Sequence, residues 1–144
     1  MKIIIETQYH HLQRYNTVGD WYKDKINGSL HIMVSRMDNW RYEFLIGIHE
    51  LVEALLCHDT NVTQEMVDEF DAKYETTGLE GEPGDLPTAP YTIQHCVATG
   101  VERILAAFMG IKWAEYEQAI DKVSEQWRGY GDQRKQNQAS TEQG

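Results

Sequence analysis

The sequence predicts an α+β fold: a small N-terminal antiparallel sheet of two or three strands packed on about four α-helices in a single domain. Three observations predict it. Short β-branched and aromatic runs separated by glycine-containing turns fill residues 1–38. Apolar residues recur at helical spacing from Asn39 onward. A chain of 144 residues suits one core that hides about 68–70% of the unfolded surface.

The strands are expected in "KIIIET", "RYNTVGDWYKD" and "SLHIMVS", with Val18-Gly19-Asp20 and Asn27-Gly28-Ser29 as turns. A first helix is expected from Asn39 to about Cys57, capped by Asp38, with Phe44, Ile48, Leu51, Val52 and Leu55 on its core stripe. A second starts at Thr63, with Val62 and Val67 as a hydrophobic staple, turns Met66, Val67, Phe70 and Tyr74 inward, and ends near Gly78. Three glycines and two prolines make 76–89 a loop, long enough for a lid or a site wall.

Pro90 suits the first turn of a third helix, whose apolar stripe is Ile93, Val97, Val101, Ile104 and Phe108 and whose end is Gly110. A fourth helix carries Trp113, Tyr116, Ile120, Val123 and Trp127 at helical spacing. The globular domain thus spans 1–128, β-rich over 1–38 and helical over 39–128. The polar segment 129–144 reads as a disordered tail.

The net charge of −10 and pI near 4.9 exclude a phosphate-backbone binder, since no basic stripe exists to release counterions. Cationic partners or a metal fit better. "MKIIIETQYHH" has only three consecutive isoleucines, short of a signal-peptide core or membrane span, so a cytoplasmic location is expected. Cys57 and Cys96 read as buried free thiols, and His10-His11 as a surface pair.

Between Phe44 and Cys57 the only charged or imidazole side chains are His49, Glu50 and Glu53. His49 and Glu53, one turn apart, share a helix face about 40° wide, set in an otherwise apolar surface. A buried carboxylate there needs a cation, a metal or a protonated neighbour. Glu50 lies where it can touch a metal-bound water. The alternative is a solvated helix edge beside a core histidine. On the third helix His95, Thr99, Glu102 and Ala106 share a face distinct from the apolar stripe. If the two helices face each other, His49, Glu53, His95 and Glu102 form a two-histidine, two-glutamate site, suited to zinc, with manganese or iron as alternatives.

The strand "LHIMVS" followed by "HELVE" resembles the strand-and-active-helix core of zincin metallohydrolases, whose signature is His-Glu-x-x-His. "RYNTVGDW", "HELVEALLC", "EPGDLPTAPY" and "QHCVATGVER" resemble stretches of small phage- and prophage-encoded proteins, which would place the chain in a host cytoplasm. The zincin resemblance implies that His49 is a first ligand, Glu50 the general base, Glu53 a carboxylate in place of the second histidine and His95 the distant ligand. The implied reaction is hydrolysis of an amide or related bond.

Three other readings compete. "HELVE" with Asp68-Glu69-Phe70-Asp71 is similar to the paired acidic motifs of helical magnesium-dependent nucleotide pyrophosphohydrolases, although Asp68, Asp71 and Glu75 also form an ordinary solvated stripe. His58-Asp59 and His31 resemble pieces of the HD phosphohydrolases, but "HDTN" reads better as a helix end. A non-enzymatic phage accessory protein that binds a host protein is the third, with a structural metal or none. Partners are thus a small molecule, a peptide or a host protein, with self-association into a homodimer also open.

Overall fold

A computed structural model describes residues 1–142 of the chain, with side chains described through residue 127. Its elements are β1 (Ile3–Gln8), β2 (Gly19–Lys23), β3 (Leu30–Ser35), α1 (Trp40–Asp59), α2 (Gln64–Thr77), α3 (Thr92–Phe108) and α4 (Trp113–Glu142), with short 3-10 turns at His10–Leu12 and Pro83–Asp85. The expected tail, 129–144, has no described side chains, and residues 143–144 lie outside the described residues altogether. No helix among the described residues is long and apolar enough to cross a membrane.

The fold is α+β, and the sheet is mixed rather than wholly antiparallel. β3 is central, pairing antiparallel with β2 (Gly19↔Val34 to Lys23↔Leu30) and parallel with β1 (Ile3↔Leu30 to Gln8↔Ser35). The cause is the length of the connections. Six residues, 24–29, with Gly28 held at φ 73°, join β2 to β3 and leave only a hairpin. Residues 9–18 are long enough to carry the chain across the end of β3, so β1 takes the opposite edge and runs parallel.

That crossing segment is pinned to the end of β3. The Gln13 side-chain amide donates to Met33 O at 3.2 Å and Ser35 Oγ at 3.0 Å, and His10 Nδ1 lies 2.9 Å from the same hydroxyl. His10 is therefore buried, contrary to its expected surface position. β2 begins at Gly19, where a turn was expected, and residues 14–18 are irregular rather than strand.

Helix ends follow local chemistry. Asn39, not Asp38, caps α1, its Oδ1 accepting from Arg41 N at 3.1 Å, while Asp38 takes the left-handed conformation at φ 55°. Thr63 Oγ1 accepts from Met66 N at 3.2 Å at the start of α2, and Gly78 ends it at φ 67°. α1 ends at Asp59 with His58 in its last turn, the helix-end role read from "HDTN".

Which faces are buried departs most from expectation. On α3 the interior takes His95, Ala98, Glu102 and Ala106, while Ile93, Val97, Ile104 and Phe108 are exposed. On α1 the buried set includes Leu45, Ile46, His49, Glu53 and Cys57, and Phe44 is exposed. Cys96 is exposed as well, unlike Cys57. The sheet, α1 and α4 supply most of the apolar core, centred on Ile32, Val34, Leu45 and Tyr116. α1 and α3 pack against each other through their polar faces because those side chains bond one another.

Candidate metal centre

α1 and α3 bring together all four side chains expected to meet. His49 Nδ1 lies 2.8 Å from Glu102 Oε2, and His49 Nε2 lies 3.2 Å from His95 Nδ1. Glu53 Oε2 is 2.9 Å from His95 Nδ1 and 3.4 Å from His49 Nε2. All four residues are buried. Their remaining oxygens are also used: Trp21 Nε1–H donates to Glu53 Oε1 at 3.0 Å, and the Tyr116 hydroxyl donates to Glu102 Oε1. A small-residue position, Ala98, separates His95 from Glu102 on the buried face of α3 and lets α1 approach.

The structure adds two carboxylates that sequence reading did not select. Residues 78–91 fold back over the start of α3, bringing Glu82 Oε2 to 3.1 Å and Asp85 Oδ1 to 3.2 Å from His95 Nε2. That nitrogen is buried and has no well-aligned hydrogen bond. Gly84 allows the approach, since a Cβ there would sit 2.5 Å from His95 Cγ. His49, Glu82 and His95 each offer a donor atom within 4.8 Å of the others, a group that could hold a metal ion. The available signal was the acidic Gly/Pro-rich loop just before the His95 helix, read as a site wall without a named ligand.

Donor spacing fits a shared ion. Ligands about 2.0–2.1 Å from a tetrahedral centre stand roughly 3.3 Å apart. His49 Nε2, His95 Nδ1 and Glu53 Oε2 are separated by 2.9–3.4 Å. Glu102 stands on the far side of the His49 ring, bonded to Nδ1, so it orients that imidazole from behind. Two ring nitrogens only 3.2 Å apart would otherwise need a shared proton or a carboxylate between them.

Without a metal, protons take the place of the positive charge. Burial opposes the charged form of His49, but the Glu102, Glu53 and Glu50 carboxylates outweigh it and raise its pKa to about 11. His95, likewise penalised by burial, is raised to about 10 by Glu53 and Glu82. Glu53 feels burial as an upward push, yet the two imidazoles hold it at about 2.

Glu50 is different. Burial, then the neighbouring Glu53 charge, push its carboxyl well above the ordinary range. It accepts no hydrogen bond from the described residues and lines a cleft of about 740 Å³ beside His49, Glu53 and His95. Gly19 makes room for it, because a Cβ there would fall 2.6 Å from Glu50 Oε1.

Further acids line the same cleft. Asp71 is buried, accepting from Tyr15 at 3.2 Å and from the Tyr91 hydroxyl at 2.5 Å, and burial raises it to about 6. The Arg14 guanidinium spans Asp20 at 2.7 Å and Asp68 at 3.1 Å. Asp68 and Asp71 are thus engaged with partners rather than forming the expected solvated stripe. His31, on β3, stacks on Tyr22 and bonds Ser29, so it belongs to the sheet and not to the cleft.

No family model, no curated protein and no solved structure matches this chain.

Proposed function

We propose that the chain is a metal-dependent hydrolase of zincin-like design that cleaves an amide or related bond. The observation that carries the reading is one carboxylate without a hydrogen bond beside imidazoles and carboxylates that bond one another. Glu50 has no hydrogen-bond donor among the described residues, whereas every neighbouring site side chain is paired. His49, His95 through Nδ1 and Glu53 would hold the ion, or, with His95 bound through Nε2, His49, His95 and Glu82. Nitrogen and carboxylate donors without sulfur suit zinc, and also manganese or iron.

When bound, the metal supplies Lewis acidity and lowers the pKa of a coordinated water to about 7. The chain's own groups do the rest. Glu50 takes the proton from the attacking water and returns it to the leaving group, its proton affinity raised by burial and by the neighbouring Glu53 charge. Glu102 holds the His49 ring so that Nε2 faces the cleft. The 740 Å³ cleft accommodates a small molecule or a peptide segment.

Elemental analysis of the purified protein tests the reading. About one zinc, manganese or iron per chain is expected, lost in His95→Ala. Glu50→Gln should retain the metal and lose hydrolysis across a panel of amide and ester substrates. Metal retained at full stoichiometry in His95→Ala, or activity surviving in Glu50→Gln, contradicts it.

One observation favours a second reading, a magnesium-dependent nucleotide pyrophosphohydrolase: Glu50, Glu53, Asp68 and Asp71 all line the one cleft. Against it, Arg14 occupies Asp68 and two tyrosines occupy Asp71. Cleavage of nucleoside triphosphates with millimolar magnesium, by a protein that retains no zinc, would select it. A retained metal with no turnover in any assay would select a structural metal in an accessory protein that binds a host protein.

A further inference from the structure

The outer face of α3 is apolar, and none of the described residues covers it. Ile93, Val97, Ile104 and Phe108 are 72%, 46%, 70% and 90% exposed, and Gly100 on the same face has nothing near it. Positions 93, 97, 100, 104 and 107 follow the alternating four-three spacing that seats one helix along another. The four large side chains present roughly 500 Å² of apolar surface, at the upper end of the about 300–600 Å² found for the largest patch on a monomer. With a polar rim the face approaches the roughly 800 Å² per partner of a stable interface.

We propose that this face is the contact between two copies of the chain, related by a two-fold axis that sets α3 against α3. Charge selects this occupant. The chain carries a net charge of −10, yet among the exposed α3 positions 93, 96, 97, 100, 103, 104, 107 and 108 the sole charge is Arg103, and Glu102 points inward. Two copies can therefore meet here without opposing carboxylates, whereas most of the acidic surface elsewhere repels a second copy. The chain's own C-terminal segment is poorly suited to cover the face: residues 129–144 contain one tyrosine and no leucine, isoleucine, valine, phenylalanine or methionine. An isologous contact also needs only this patch, since each copy supplies what the other lacks. The buried side of the same helix carries His95 and Glu102, so pairing would brace the helix that holds the candidate site.

Sedimentation equilibrium of the full chain at tens of micromolar tests the proposal. The expected mass is twice the 16.7 kDa of one chain. Ile104→Glu and Phe108→Glu, both at exposed positions, should each raise the dimer dissociation constant at least 100-fold with an unchanged far-ultraviolet circular dichroism spectrum. Leu79→Glu, an exposed apolar position outside α3, should leave the dimer intact. A monomeric wild-type chain overturns the proposal, including one that dimerises only after residues 129–144 are removed, which would make that segment the occupant. A dimer indifferent to both α3 substitutions overturns it equally.

Discussion

Glu102 and Glu53 hold the two histidines in different ways, and the difference can be tested one side chain at a time. Glu102 reaches His49 at Nδ1, away from His95, and its second oxygen is taken by the Tyr116 hydroxyl. Glu53 lies on the other side, 2.9 Å from His95 Nδ1. Glu102→Gln keeps the shape but weakens the bond that orients His49. It should lower metal affinity about 10–100-fold while leaving the stoichiometry at saturating metal unchanged. Competition against a chromophoric chelator would measure it. Loss of the metal even at saturation would make Glu102 a direct ligand and contradict the orienting role. In the sequence both glutamates looked equivalent, since each shares a helix face with a histidine. Only the side from which each approaches the ring separates them.

The α1–α3 pair is the element on which the site depends, and its polar seam makes stability depend on pH. In the metal-free protein the raised pKa values of His49 and His95 contribute stability in full below their ordinary 6.5. That contribution is lost as pH rises through about 10 for His95 and about 11 for His49. Glu53, depressed to about 2, contributes above its ordinary 4.5 and loses that contribution as pH falls through about 2. With chelator present, thermal melts should show a midpoint that declines steadily from pH 6.5 toward 11. Added metal should flatten the decline, because binding releases the same protons. A midpoint independent of pH on the alkaline side would contradict the pairing. The existence of these helices, the Thr63 cap, the Gly78 and Gly110 stops and the facing of His49 toward His95 were all legible in the sequence. Which stripe of α3 turns inward was not. Periodicity marks two faces without ranking them, and burying Ile93 and Phe108 normally outweighs burying His95 and Glu102. Here four mutually bonded polar groups reverse that order. The parallel placement of β1 was equally hidden, because it depends on the path of residues 9–18 and on the bonds of Gln13 and His10 to Ser35.

At the scale of the whole molecule, sheet, helices and loop converge on one acidic cleft. β2 contributes Asp20 and Trp21, α1 contributes His49, Glu50 and Glu53, α2 contributes Asp68 and Asp71, α3 contributes His95 and Glu102, and the 78–91 loop contributes Glu82. Carboxylates lining such a cleft, on a chain of net charge −10, raise the local concentration of cations and speed their entry. Glu82 was hard to select from the sequence for the same reason: a loop residue becomes a donor only when the fold lays the loop over α3, with Gly84 against the His95 ring. If two imidazoles and carboxylates share one metal ion, as proposed, X-ray absorption at the zinc edge of the zinc-loaded protein reads that ligand set out. Only nitrogen and oxygen neighbours at about 2.0–2.1 Å are expected, with outer-shell scattering from two imidazole rings that falls to one in His95→Ala at excess zinc. A sulfur neighbour at about 2.3 Å, or a spectrum unchanged by His95→Ala, would contradict it.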